Sequence, residues 1–176
     1  MKIICFGDSN TFGYDPRGYF GSRYDHPWPE ILAEKLNCTI LNWGENGRVI
    51  PSKSINYPAD TDLLIVMLGT NDLLQGESPD VVAQNMERFL ESLPSEKLLL
   101  ISPPPMILGA WVPEQSLITV SKALADPYRS LAQRQNIRFV DAGRWNVPLA
   151  YDGVHLTQEG HRIFAEGLMD YMNKGE

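Results

Sequence analysis

Lys2-Ile3-Ile4-Cys5-Phe6, followed at once by Gly7-Asp8-Ser9-Asn10, decides the architecture of this chain. The run is mostly apolar with no polar alternation, the pattern of a strand covered on both faces, as in a parallel sheet. Similar short runs recur at residues 39–42, 63–68, 98–101 and 138–140. Helical patterns lie between them. Trp28, Ile31, Leu32 and Leu36 recur at helical spacing behind Pro27 and Pro29, which suit a first turn. Ser78-Pro79 supplies an N-cap and first helical residue for a stripe of Val82, Met86, Phe89, Leu90 and Leu93. A third helix is predicted over much of residues 114–135, interrupted where Asp126-Pro127 restricts the backbone. Thr157 caps a last helix that turns Phe164, Leu168, Tyr171 and Met172 to the sheet. Strands alternating with helices imply right-handed βαβ crossovers. The expected fold is α/β: a five-stranded parallel sheet in order 2-1-3-4-5, helices on both faces.

Composition narrows the function. The 176 residues suit a single domain, 1–176, able to bury roughly 70% of its unfolded surface. A net charge of −7 with 15 scattered basic residues argues against a nucleic-acid partner, which would require clustered Lys and Arg. No apolar run is long enough to span a membrane, so no membrane partner is expected. The first apolar run enters the Ser9 turn directly, leaving no room for a cleavable signal, and a cytoplasmic protein is expected. Cys5 and Cys38 lack CxxC or histidine spacing and suit small buried hydrophobes in a reducing compartment.

In sheets of this order ligands bind at the carboxyl ends of the strands, and four polar motifs lie there. In Gly7-Asp8-Ser9-Asn10 the glycine permits a tight turn, and Ser9 stands near a helix start whose free N–H groups favour negative charge. Taken alone, Asp8 or Ser9 could simply cap a helix, or Ser9-Asn10-Thr11 could cradle a flavin phosphate. Asn42-Trp43-Gly44-Glu45-Asn46-Gly47-Arg48 has two glycines three apart, which let a backbone N–H point into the cleft. In Gly69-Thr70-Asn71-Asp72, the Asn71 amide can donate to an oxyanion, while Asp72 suits a structural hydrogen-bond partner. In Asp152-Gly153-Val154-His155, a short turn can set the carboxylate against Nδ1 and leave Nε2 free to take a proton. No second His–carboxylate or Cys cluster accompanies it, so no metal is expected. His161, on the last helix, and His26, on the irregular stretch 13–26, are expected to be surface histidines.

In this combination the chain resembles the SGNH (GDSL-type) hydrolases, named for the Ser, Gly, Asn and His carried by four such blocks. The resemblance runs over nearly the whole chain and implies a three-layer α/β/α sandwich. It assigns Ser9 as nucleophile, His155 as general base and Asp152 as its orienting carboxylate. The oxyanion hole it implies is the Ser9 N–H, the Gly47 N–H and the Asn71 side chain. Residues 5–13, Ser102-Pro103-Pro104-Pro105, Asp141-Ala142-Gly143 and residues 152–157 look like the arylesterase/acyltransferase branch. Asn10 departs from it, standing where that branch commonly has leucine, a position that bears on the acyl pocket.

The expected activity is a serine esterase working through an acyl-enzyme, with a small-molecule ester of a short acyl group, such as acetyl, as substrate and no cofactor. The same machinery would serve a carbohydrate deacetylase, a thioesterase or an acyltransferase. A flavodoxin-like flavin-binding module would explain the sheet and first turn but has no use for Asn71 and a late Asp152/His155 pair. Phe12, Tyr14, Trp43, Trp111 and Tyr151 are candidates for an apolar mouth. Residues 13–26 suit a binding or oligomer-contact loop, and apolar loop residues are compatible with a homo-oligomer.

Overall fold

Five parallel strands pair in the order β2-β1-β3-β4-β5 in the computed structural model, which describes residues 1–19 and 21–174. They are β1 (Lys2–Gly7), β2 (Thr39–Gly44), β3 (Leu63–Met67), β4 (Leu98–Ser102) and β5 (Arg138–Asp141). All but β3 run past their apolar cores, because the end residues still pair across the sheet: Gly7 with Gly44, and Ser102 with Asp141. The central strands β3 and β4 are buried at every position, whereas the edge strands β2 and β5 are not. That is why the runs at 63–68 and 98–101 carry no polar alternation.

Successive side chains on each strand point to opposite faces and build two cores. Ile4, Phe6, Leu64, Val66 and Leu100 pack with the helices α4 (Pro79–Leu90) and α6 (Ala125–Gln135), through Val82, Met86, Phe89, Tyr128 and Leu131. Ile3, Cys5, Ile65, Met67 and Leu99 pack with α2 (Trp28–Leu36) and α7 (Gln158–Lys174), through Trp28, Leu32, Phe164 and Leu168. The result is the expected three-layer sandwich. Three further α-helices lie among the described residues: α1 (Ser9–Phe12), α3 (Thr70–Leu74) and α5 (Gln115–Ala123).

Local chemistry sets the helix ends. The Ser78 hydroxyl accepts the Val81 N–H at 3.4 Å, and the Thr157 hydroxyl accepts the Gly160 N–H at 2.9 Å. The break in the third predicted helix falls at Leu124 rather than at Asp126-Pro127. Pro127 has no N–H for the carbonyl four residues back, and its ring crowds that carbonyl, so α5 stops at Ala123 while the proline sits in the first turn of α6. Leu93 lies past the end of α4 but stays buried in the same core. No helix among the described residues is long and apolar enough to cross a membrane.

The packing that matters most for the polar motifs is α1 against the end of β2. A Cβ on Gly44 would lie 2.0 Å from the Phe12 nitrogen and 2.5 Å from its Cα, both backbone atoms. Gly44→Ala should therefore push α1 off the sheet and destabilise the protein by about 1–3 kcal/mol. Thermal melts check this; a variant melting with wild type would show that the contact can relax freely.

Candidate active site

At the end of β1, the Asp8 carboxylate accepts the Asn10 N–H at 2.9 Å and so caps α1. The Ser9 hydroxyl is left free of that task and lies 3.0 Å from His155 Nε2. His155 Nδ1 is 2.7 Å from Asp152 Oδ2. The other oxygen, Oδ1, accepts the N–H groups of Val154 and His155 at 2.9 and 3.0 Å. All three side chains are buried. Burial pushes the Asp152 carboxyl upward, but the His155 ring and the two N–H groups outweigh it and hold the acid below its ordinary range. A carboxylate only accepts, so Nδ1 carries the proton and the Nε2 lone pair faces the serine hydroxyl. Such an array can draw the proton from Ser9 as its oxygen attacks an electrophile.

The two halves of this array stand 146 residues apart in the chain. Asn10 joins them. Its Nδ2 donates to the Val154 carbonyl at 3.1 Å, and its Oδ1 accepts the Leu156 N–H at 2.9 Å. From the other side, the segment after β4 docks on the same turn. The Ile107 N–H donates to Gly153 O at 3.0 Å, and the Trp111 N–H to Asp152 O at 2.9 Å. Gly109 permits this approach, since a Cβ there would meet the Asp152 carbonyl carbon at 2.4 Å. Asn10 therefore faces the histidine turn rather than an acyl pocket. Ser9 and Asn10 are both committed to residues 154–156, so two of the three side chains that a flavin-phosphate cradle would use are already engaged, and the third, Thr11, is fully buried.

Of the candidate mouth residues, Tyr14 and Trp111 flank His155, with ring centroids 4.7 and 5.0 Å from the imidazole. Tyr151 is exposed and donates its hydroxyl to Pro16 O at 2.9 Å. Phe12 instead lies beneath the Arg23 guanidinium, and Trp43 packs on the core that includes Phe89. Ile107 and Leu108, exposed beside Trp111 in the chain, were not singled out from sequence. In the stretch 13–26, Tyr14 bridges Arg23, Tyr24 is buried and Tyr19 is exposed; Phe20 lies outside the described residues. A groove of about 480 Å³ lies elsewhere, between α4 and α6, lined by residues such as Asp80, Glu87 and Arg134. Chemistry, not volume, locates the candidate site.

Gly47 sits in an exposed left-handed turn at φ +76°, with open space where a Cβ would be. Asn71 Nδ2 donates to the Arg48 carbonyl at 3.0 Å, which leaves its second amide hydrogen for another acceptor. Asp72 accepts the Ile50 N–H at 3.2 Å and is the structural partner the sequence suggested. His26 is exposed, as expected. His161 is not: it is fully buried, its Nδ1 accepting the Trp28 N–H at 3.3 Å. Burial first, then the nearby Arg23 and His155, lowers its pKa to about 3, so the ring stays neutral. Its helical spacing to Phe164, Ala165 and Leu168 was the signal that placed it on the buried face. Both cysteines are free, Cys5 buried and Cys38 partly so.

Burial raises the Asp8 carboxyl from 3.8 to about 6, against the pull of the Asn10 N–H and His155. The folded value lies above the unfolded one, so the stability contributed by this group is complete below pH 3.8 and lost as pH rises through about 6. Asp8→Asn keeps a capping oxygen and deletes the titration. Its stability relative to wild type should rise from about pH 4 to about pH 7, by up to about 3 kcal/mol. Denaturant melts at both pH values check this, and a pH-independent difference would contradict it.

The GDSL-like lipase/acylhydrolase family profile matches residues 5–163. The chain is 29% identical over 137 residues to an isoamyl acetate-hydrolyzing esterase 1 homolog of Rattus norvegicus; the match covers 64% of this chain and 51% of that protein. The chain thus spans about half the length of that relative. Among solved structures, a carbohydrate acetylesterase family member from Sinorhizobium meliloti superposes with a TM-score of 0.82 at 26% identity, over 98% of this chain and 97% of that one. The aryl esterase of M. smegmatis superposes with a TM-score of 0.81 at 26% identity, over 98% of each chain. The profile match runs from β1 into α7 and takes in the Ser9 turn and the His155 turn, and the chain belongs to the GDSL-like lipase/acylhydrolase family.

Proposed function

We propose that this protein is a serine esterase that hydrolyses carboxylic esters of short acyl groups through an acyl-enzyme on Ser9. The observation that carries the proposal is the hydrogen-bonded line from Ser9 through His155 to Asp152. In the proposed reaction Ser9 Oγ attacks the ester carbonyl carbon while its proton passes to His155 Nε2. The carbonyl oxygen becomes an oxyanion, held by the Ser9 N–H, the Gly47 N–H and the free amide hydrogen of Asn71. The imidazolium, stabilised by Asp152, returns its proton to the departing alcohol as the tetrahedral species collapses. Water, deprotonated by His155, then attacks the acyl-enzyme; the acid leaves and the Ser9 hydroxyl is restored.

Support for a short acyl group is chemical and comparative. Trp111 is exposed beside His155, and Ile107 and Leu108 are exposed on the same segment. The main chain of that segment docks on the Asp152–Gly153 turn, so it could meet an apolar substrate at the surface. All three relatives are named as esterases, and two of the names specify acetyl esters. Ester hydrolysis, with acetyl as the first candidate, is therefore favoured over thioester hydrolysis or acyl transfer by the same triad.

Hydrolysis of p-nitrophenyl acetate, butyrate and octanoate tests the reading. Wild type should prefer the shortest ester. Ser9→Ala should lose at least about 10³-fold in kcat, and Asn71→Ala about 10²- to 10³-fold, as for loss of one oxyanion donor. Inactivity of wild type towards all three esters would sink the esterase reading, and indifference to chain length would remove the short-acyl claim.

A further inference from the structure

Three elements contribute donors to the proposed oxyanion site: the turn after β1, the Gly47 turn after β2, and α3. Arg48 touches all three. Its side chain is only 19% exposed. Nη1 donates to the Gly7 carbonyl at 2.9 Å and also to the Trp43 carbonyl. Nη2 meets Glu45 Oε2 at 2.5 Å, within the Gly47 turn itself. The guanidinium lies over the Phe6 ring, 4.3 Å from its centroid. Gly7 and Trp43 stand at the ends of neighbouring parallel strands, where Gly7 pairs with Gly44. One planar group therefore bridges the carboxyl ends of β1 and β2. The Arg48 main chain completes the set, since its carbonyl accepts from Asn71 Nδ2 at 3.0 Å.

We infer that Arg48 is a positioning residue for the oxyanion site, its guanidinium fixing the Gly47 turn against the Ser9 turn and its carbonyl aiming the Asn71 amide. The inference rests on the esterase reading. The left-handed Gly47 turn is exposed and has no side chain to anchor it, so its N–H can hold a direction only through what its neighbours grip. Gly7 lies two residues before Ser9, so the same guanidinium also anchors the turn that presents the serine N–H. Arginine suits this role because its five donors fan out in one plane and can serve two carbonyls and a carboxylate at once; a lysine ammonium on a flexible stem has no such fork. Misaligned donors weaken binding of the transition-state oxyanion far more than binding of the neutral ester. Loss of the guanidinium should therefore appear in kcat and leave KM nearly unchanged.

The test compares wild type, Arg48→Lys, Arg48→Met, Asn71→Ala and Arg48→Met/Asn71→Ala on p-nitrophenyl acetate, below the melting temperature of each variant. Arg48→Met should lower kcat about 10- to 100-fold, with KM held within about twofold. Arg48→Lys should recover only part of the loss. In the Asn71→Ala background, Arg48→Met should still lower kcat, because the guanidinium grips the Ser9 and Gly47 turns, whose N–H groups remain as donors. Wild-type kcat in folded Arg48→Met, or a loss carried by KM rather than kcat, would overturn the inference while leaving the esterase reading intact. Should Arg48→Met fail to fold, Arg48→Lys decides: reduced kcat at unchanged KM supports the role, and wild-type kcat overturns it. A wild type that hydrolyses no ester overturns the esterase reading and this inference together.

Discussion

Two hydrogen bonds made by one buried amide tie the two halves of the candidate site together in this chain. Asn10, on the first helical turn after β1, grips the main chain on either side of His155, at the Val154 carbonyl and the Leu156 N–H. An amide has one donor group and one acceptor group, so it can clamp a carbonyl and an N–H of the same turn. A leucine there could pack but could not set the register of that turn. Buried backbone groups without partners are costly, so the clamp is held by the penalty of breaking it as well as by its own strength. Ser9 and His155 then meet as neighbours of clamped residues, at 3.0 Å.

Two buried carboxylates near this junction show how the protein separates structural from chemical work. Asp152 receives three donors and is held in its charged form, as an acid paired with a proton-accepting histidine must be. Asp8, capping α1 with one N–H and lying close enough to feel Asp72, is pushed towards neutrality. Both acids are buried, but for Asp8 burial, helped by Asp72, outweighs its N–H donor and His155, whereas for Asp152 the donors outweigh burial. Because Asp8 takes over the cap, the Ser9 hydroxyl can turn to the histidine. His161, a third titratable group on the adjoining core, is kept neutral by burial and accepts from the start of α2.

Much of the fold was legible because burial on two faces leaves an unmistakable mark on short strands. Residues 63–68 and 98–101 carry that mark, and their alternation with helical patterns pointed to parallel βαβ units. Ser9, Asp152 and His155 were singled out by four polar motifs taken together and by the family those motifs resemble, since each motif alone could be a turn or a helix cap. What sequence could not supply was long-range main-chain pairing. The docking of Ile107 and Trp111 on residues 152–153 involves backbone groups, which carry no residue signature. Asn10 was noticed as a departure, but its partners were backbone atoms of a turn 144 residues away. His161 was legible in retrospect, since its spacing to Phe164 and Leu168 placed it on the apolar stripe. Phe12 and Trp43 show the opposite limit: an aromatic residue beside a motif is as easily recruited by a guanidinium or the core as by the cleft.

Reaction of Ser9 with a fluorophosphonate, followed by peptide mass spectrometry, tests the central claim most directly. Activation of this serine by His155, itself oriented by Asp152, predicts a single adduct on Ser9 that forms rapidly in wild type. The adduct should form at least about 10³-fold more slowly in His155→Ala. No adduct on Ser9, or labelling at an undiminished rate in His155→Ala, would contradict the account.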